Sequence, residues 1–265
     1  MWNLMKGLNY QIKRDNFTIY AILFSSFLAI GITIYSALVE EGMAFSEINA
    51  GLFLAKNAEF MVVGCLVLCC VLVARIVGWD MTDKTINYEI LAGNSRNHVF
   101  GARVILTFLW CLGISVIYLV VPLVVLSFCN GWGPNMEIKV GVSWVLIFML
   151  LVFRLVCELI LLTVLLKNCF ISMIIGWILN EFVVLVTLVY EEMIGEFPIF
   201  LFSLSGMFQF SSFPYKFEYI GGEDIPVFRL PIESGEIMQI IISVIVVSGL
   251  TLLVAKTQFN KQDMR

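Results

Sequence analysis

The chain has 265 residues, of which 60% are hydrophobic and 14% are charged, and its mean hydropathy is +0.97. Because soluble domains carry roughly 25% charged residues, this composition excludes an ordinary soluble protein and indicates one embedded in lipid. The formal net charge of −4 comes mainly from acidic residues between the apolar segments, and no nucleic-acid partner is expected.

The N-terminal residues predict an amphipathic helix. Leu4, Leu8 and Ile12 recur every four positions, and cationic and amide residues fill the other faces. Such a helix is expected to lie in the inner membrane interface with its apolar face in lipid, and a frayed terminus is the alternative. The apolar run that follows at residues 17–39 is longer than the core of about 7–15 residues in a cleaved secretory signal.

Six continuous apolar segments are each long enough for a transmembrane helix. A hydrocarbon core of about 30 Å requires about 20 apolar residues, whereas barrel strands alternate over about ten. The sequence therefore predicts an all-α, polytopic membrane protein, with an N-terminal interfacial helix and one transmembrane domain over residues 1–265. The predicted spans are residues 17–39, 58–77, 104–129, 140–166, 170–190 and 237–255.

The distribution of positive charge predicts the orientation. If the N-terminus is inside, eleven Lys and Arg residues lie in cytoplasmic segments and four in outer segments. Cytoplasmic loops of membrane proteins carry such an excess. Both termini are therefore expected in the cytoplasm.

Catalytic and metal sites are not indicated. The seven cysteines lie in apolar segments or at their ends, where thiols pack as small apolar groups, and His98 is the only histidine. No segment matches the glycine-rich phosphate loop that ends in Gly-Lys-Ser/Thr. We expect no enzyme activity and no cofactor in this chain, and ATP hydrolysis would require a partner.

The segment at residues 80–103, DMTDKTINYEILAGNSRNHVFGAR, is a polar loop between two apolar runs. Residues 84–92 predict a short helix, with Asp83 as the N-cap and Gly93 as the stop. The charge distribution places it in the cytoplasm, where it would present an ordered face to a soluble partner. A solvated loop is the alternative.

This loop carries a resemblance to a known family. The order of an Asp after the second span, then KTINYEILAGNSR, then an Arg before the third span resembles membrane subunits of type-2 ATP-binding-cassette exporters. Similar members are bacterial permeases that export antimicrobial peptides or confer immunity to them. In that family the loop is a coupling helix that docks in a groove of the ATPase. The coupling role would fall on Lys84, Thr85, Ile86, Glu89, Leu91, Gly93, Ser95 and Arg96.

The resemblance also implies the partners and the location. Two copies of a cytoplasmic ATPase subunit, which bind ATP and Mg, would drive two permease copies in a homodimer or a related heterodimer. The assembly would lie in the bacterial plasma membrane, in contact with membrane lipid.

The outer segment at residues 191–235 is rich in aromatic side chains. Its apolar run at residues 197–210 is too short to cross a bilayer, which predicts a re-entrant or interfacial position. Ten aromatic residues between Phe197 and Phe228 favour the interface. The resemblance implies short re-entrant helices that close the outer end of the pathway, and an aromatic belt without gating is the alternative.

Four polar residues lie inside the predicted fourth and fifth spans. Arg154 and Glu158 are four positions apart and can pair on one helix face, and Asn180 and Glu181 lie near the middle of the next span. Charges at this depth are costly unless they are paired or hydrated. They predict either a polar pathway or dimer seam, or a structural pair that fixes helix packing.

The sequence favours an ATP-driven exporter of an amphipathic or antimicrobial peptide. Export of a lipid, a small drug or another hydrophobic substrate is the alternative, as is a secondary transporter that does not use ATP. A secondary transporter would favour inverted repeats with matched broken helices, and Pro122 has no obvious counterpart in the second half. An intramembrane hydrolase would require a Glu and His constellation that His98 alone cannot supply.

The charge distribution makes the topology testable. In a cysteine-free background, a cysteine placed at Glu223 should react with a membrane-impermeant reagent in intact cells, and one placed at Lys84 should react only after permeabilisation. Label that reached position 223 only from the cytoplasmic side would contradict the predicted orientation.

Overall fold

The computed structural model describes residues 2–35, 49–133, 137–194, 215–220, 223–228 and 234–261. Within these ranges the chain is helical apart from one two-stranded hairpin. The elements are α1 (Trp2–Arg14), α2 (Asn16–Tyr35), α3 (Ala50–Val73), a π-helical segment (Ala74–Gly78), α4 (Trp79–Thr82), α5 (Ile86–Leu91), α6 (Arg96–Asn130), α7 (Ile138–Leu166), α8 (Cys169–Ile194), β1 (Tyr215–Ile220), β2 (Glu223–Phe228) and α9 (Ser234–Lys261).

Four helical stretches in the described ranges are long and apolar enough to cross a membrane. They are Gly64–Thr82, Arg96–Asn130, Ile138–Leu166 and Ile240–Lys261. This result agrees with the predicted all-α membrane protein and with its second, third, fourth and sixth spans. Helices α2 and α8 occupy the first and fifth predicted spans, and their crossing of the membrane stays a prediction.

Helix α7 is the centre of the bundle, and it packs against α3, α6, α8 and α9. Its side chains Phe148, Val152 and Ile160 have no exposed surface. The Phe153 ring stacks on Phe108 of α6 with 4.5 Å between centroids. Because lipid is as apolar as these side chains, close packing rather than exclusion of water holds such helices together.

The buried thiols pack in this core as the sequence predicts. Cys65 and Cys69 of α3 and Cys111 of α6 are free and buried. The Cys65 sulfur lies 2.9 Å from the Ser115 hydroxyl oxygen, and the Ser115 hydroxyl donates to the Cys111 carbonyl. Small side chains at these positions allow α3 and α6 to approach closely.

Helix α1 packs on the protein, which corrects one expectation. The stripe of Leu4, Leu8 and Ile12 was expected in lipid, yet Leu8 and Ile12 are buried in the common hydrophobic core and Leu4 packs partly buried against it. Met5 is buried in the same core. The Trp110 indole of α6 donates a 3.0 Å hydrogen bond to Asn9. The amphipathic stripe therefore contacts the bundle because α6 offers both an apolar surface and a polar partner.

The π-helical segment Ala74–Gly78 joins α3 to α4. A salt bridge connects it to Asp15, between α1 and α2. Arg75 donates from Nε and Nη2 to the Asp15 carboxylate at 2.6 and 2.9 Å. Its guanidinium also lies 4.0 Å from the centroid of the Trp79 ring. Partial burial raises the pKa of Asp15, but hydrogen bonds from Arg75 and Thr18 and the Arg75 charge outweigh this effect, so the pKa falls below its ordinary value.

The outer segment contains a hairpin that the sequence analysis did not predict. Strands β1 and β2 pair antiparallel, with Tyr215 opposite Phe228 and Ile220 opposite Glu223. In the sequence they are separated by Gly221 and Gly222, a dipeptide that favours two-residue hairpin connections. This part of the segment is therefore a β-ribbon and not a re-entrant helix, whereas the predicted re-entrant run at residues 197–210 lies outside the described residues.

Gly78 provides a test of the packing between the π-helical segment and the α7–α8 corner. A Cβ built at Gly78 would lie 3.0 Å from the Cys169 Cα and from the Thr163 methyl group, closer than ordinary contact. Gly78→Ala should therefore lower the stability in detergent, measured by thermal unfolding, by about 1–3 kcal/mol.

The matched control is Gly249→Ala in α9. A Cβ at Gly249 meets no heavy atom of another described element within 4 Å, and the change from Gly to Ala within a helix is itself favourable by roughly 0.5–1 kcal/mol. Equal unfolding temperatures for the two variants would contradict the close approach at Gly78.

Candidate functional site

The candidate site is the polar loop at residues 80–103, which the structure folds into two short helices before α6. The predicted N-cap at Asp83 is wrong. The Asp83 N–H donates to the Trp79 carbonyl at 3.0 Å and ends α4, so α5 begins later, at Ile86. Between them Lys84 has φ +57°, a left-handed conformation that turns the chain.

The predicted stop at Gly93 is confirmed. Gly93 has φ +91°, which glycine adopts at low cost, and its N–H donates to the Ile90 carbonyl at 3.0 Å. The Asn94 side chain then donates to the Glu89 carbonyl at 3.0 Å. Ser95 begins α6, because its hydroxyl accepts a hydrogen bond from the His98 N–H.

Salt bridges among three charged residues connect this loop to the helix bundle. We call these residues, Asp80, Glu89 and Arg103, the Arg103 cluster. Arg103 Nη1 and Nη2 donate to the two Glu89 oxygens at 2.5 and 2.9 Å. Nη2 also donates to Asp80 Oδ2 at 2.7 Å. The Arg103 side chain is 1% exposed, whereas each acid is 21% exposed.

The geometry of the Arg103 cluster is that of a strong charge-assisted contact. A guanidinium presents its donors in a planar fork that matches a carboxylate, so the Glu89 contact fixes both direction and distance. Thr85 donates to the other Asp80 oxygen at 2.9 Å and holds that carboxylate in place. One side chain of α6 thereby joins α5 to the end of the α3–π–α4 helix.

Helix α5 buries one face and exposes the other. Ile86 is only 2% exposed and belongs to the hydrophobic core, and Ile90 is partly buried beside it. Tyr88 and Leu91 are 74% and 81% exposed. An exposed Tyr and Leu on a rigidly held helix form an apolar surface of the kind that a protein partner covers.

The predicted coupling residues therefore divide into two groups. Glu89 and Arg96 are held by bonds inside the protein and Ile86 is buried, so these three position the loop. The remaining predicted residues are exposed: Lys84, Thr85, Leu91, Gly93 and Ser95. The prediction missed Tyr88, Asp80 and Arg103 as members of the site, although the opposite charges that frame the loop were the available signal.

Arg96 connects the loop to the last helix. Its Nη1 donates to the Asn260 carbonyl at 2.7 Å, and the Asn260 amide donates to Asn97 at 3.0 Å. Below these bonds the Phe100 and Phe259 rings lie 5.3 Å apart. A cation at the carbonyl end of α9 is favourable for the helix dipole, so the α6–α9 contact is both polar and apolar.

The intramembrane pair was predicted correctly, and its pathway role stays a prediction. Arg154 Nε lies 3.3 Å from Glu158 Oε1 on α7, where Arg154 is 1% exposed. The backbone of Asn180 and Glu181 lies in α8, but their side chains fall outside the part that the structure describes. Their predicted connection to Arg154 is therefore untested.

No protein-family model and no curated protein matches the chain. In the described ranges, no group of three or more His, Cys, Asp or Glu side chains is placed to hold a metal ion. The site is therefore defined by its own contacts: a short helix, an exposed apolar pair and a buried cation that anchors it.

The Arg103 cluster predicts an asymmetric response to mutation. Removing both negative partners in Asp80→Asn/Glu89→Gln leaves a buried guanidinium without a counter-charge, which should cost about 3–5 kcal/mol of stability. Adding Arg103→Met should restore most of that loss, because an apolar side chain of similar length needs no partner. Thermal unfolding in detergent and tryptic cleavage at Lys84 would measure both effects.

Asp83→Asn is the control for this experiment, because Asp83 is an exposed acid of the same loop outside the Arg103 cluster. It should unfold at the wild-type temperature. Equal stability of the double variant and this control would show that the ion pairs do not hold the loop.

Proposed function

We propose that the chain is the permease subunit of an ATP-driven exporter of the type-2 ATP-binding-cassette kind. Its substrate is an amphipathic or antimicrobial peptide, moved across or out of the membrane for export or self-immunity. The observation that carries the proposal is helix α5, a short helix fixed by the Arg103 cluster that turns Tyr88 and Leu91 outward. A loop without a partner has no need of such rigid support.

The proposed assembly has two permease copies and two cytoplasmic ATPase subunits. The permease spans the bacterial plasma membrane six times with both termini in the cytoplasm, and its copies form a homodimer or a related heterodimer. The ATPase subunits bind ATP and Mg and dock on α5.

Coupling follows from what α5 is bonded to. A displacement of α5 by the ATPase acts through Glu89 on Arg103 of α6, and through Arg103 on Asp80 at the end of α4. Arg96 adds the end of α9, through its bond to the Asn260 carbonyl. A displacement of the six-residue helix α5 would therefore be transmitted to α6, to the α3–π–α4 helix and to α9 through short charge-assisted hydrogen bonds.

The intramembrane charges support a transport role without identifying the substrate. A buried Arg154 paired with Glu158 on α7 is costly in a protein that only fills the bilayer. Glu181 and Asn180 would extend this polar region along the path if they face α7. A lipid or small-drug exporter would use the same coupling surface, so the substrate assay below separates these possibilities.

The exposed pair on α5 gives the test of coupling. In liposomes that contain the permease and its partner ATPase, cationic amphipathic peptides should stimulate ATP hydrolysis. Tyr88→Ala/Leu91→Ala should weaken ATPase binding and lower this stimulation by about tenfold, because truncating a buried aromatic anchor of an interface costs more than about 1 kcal/mol and about 1.4 kcal/mol is tenfold in affinity. Co-purification and ATP turnover are the measurements.

Phe128→Ala is the matched control, because Phe128 is 87% exposed at the opposite end of α6. It should leave co-purification and stimulation unchanged. Full stimulation in the Tyr88/Leu91 variant would reject α5 as the docking surface. If a lipid or a drug stimulated ATP hydrolysis and peptides did not, the proposed exporter function would stand and the proposed substrate class would change.

A further inference from the structure

A groove lies between α1 and α6, and neither the coupling site nor the intramembrane pair uses it. Its volume is about 290 Å³. One wall comes from Trp2, Met5, Lys6 and Asn9 of α1. The other wall is a strip of α6 made of Leu106, Leu109, Trp110, Gly113, Ile114 and Ile117.

The length of the groove along α6 is comparable to that of one lipid acyl chain. Leu106 to Ile117 extends along α6 for about 16 Å at 1.5 Å per residue, which is close to half of a hydrocarbon core of about 30 Å and so to the depth of one leaflet. A helix about 10 Å across would need roughly 1,200 Å³ over that length. A groove of about 290 Å³ therefore does not enclose a partner helix.

Gly113 keeps the floor of the groove open. A Cβ built there meets no heavy atom of another described element within 4 Å, so the space above this residue is unfilled. Leu106 and Ile114 are buried below it, whereas Leu109 and Ile117 are each 60% exposed at the rim. The α6 wall is thus apolar from its floor to its edge.

The α1 wall is cationic and aromatic. The Lys6 ammonium lies 5.5 Å from the centroid of the Trp2 ring, which holds the charge beside the groove. Helix α1 has no acidic residue, and Lys13 and Arg14 add to its positive charge. Trp and Lys on an amphipathic helix are typical of contact with anionic headgroups at the membrane interface.

We propose that this groove binds one phospholipid with an anionic headgroup, with an acyl chain along α6 from Leu106 to Ile117 and its phosphate at Lys6. The proposal rests on the membrane location of the chain and not on its transport function. The bound lipid would complete the packing of α1 on α6, so lipid composition would affect how firmly the interfacial helix is held.

Native mass spectrometry of the purified chain in detergent tests the proposal, with phosphatidylglycerol and phosphatidylcholine of identical acyl chains as probes. Wild-type protein should retain one phosphatidylglycerol about fivefold more strongly than phosphatidylcholine, the factor expected for one Lys near an anionic headgroup. Lys6→Gln should bring that ratio to about one. Gly113→Leu should fill the groove and reduce retention of both lipids.

Two matched variants control for general effects. Lys13→Gln removes another exposed cation of α1 that does not line the groove, and Gly249→Leu adds the same bulk to an open face of α9. Both should retain lipid as the wild type does. Equal retention of the two lipids by wild-type protein, or the same loss in a control as in its groove counterpart, would overturn the proposal. The Lys6 comparison does not depend on how the Gly113 variant folds.

Discussion

The contact of Arg103 with two carboxylates determines the arrangement of the end of the helix bundle that carries α5. A guanidinium with 1% exposure keeps its charge, so burying it is costly unless acids lie against it. Glu89 reaches it because α5 is short and the chain turns at Gly93 just after the helix. Asp80 reaches it because α3 continues through the π-helical segment into α4. The loop is therefore ordered by the electrostatic requirement of one residue, and its outer face is left for Tyr88 and Leu91.

A second salt bridge between an arginine and a carboxylate lies near the start of the chain. Arg75 in the π-helical segment binds Asp15, which lies between α1 and α2. The α3–π–α4 helix contributes Arg75 to one anchor and Asp80, five residues later, to the other. Because that helix also meets the α7–α8 corner closely at Gly78, the loop at residues 80–103, the start of the chain and the bundle centre all contact one structural element.

The surfaces of the protein divide by chemistry. In the loop at residues 80–103, Asp80 and Glu89 are bonded to Arg103, whereas the exposed side chains of α5 are Tyr88 and Leu91. Helix α1 differs, because its cation Lys6 borders an open groove beside Trp2. A rigid apolar pair suits a protein partner, and a cation beside a narrow apolar groove suits a lipid. The partners that we propose for the α5 surface and for the groove are therefore of different chemical classes.

The sequence by itself determined the features that depend on local periodicity and composition: the all-α membrane class, four of the helices long enough to cross a membrane, the helix stop at Gly93 and the pairing of Arg154 with Glu158. Tertiary structure alone decided the contacts of Arg103, whose partners are 14 and 23 residues away and follow no helical repeat. It also decided that α1 and Ile86 face the protein. Lipid and a protein interior are equally apolar, so an apolar stripe cannot reveal which of them it contacts.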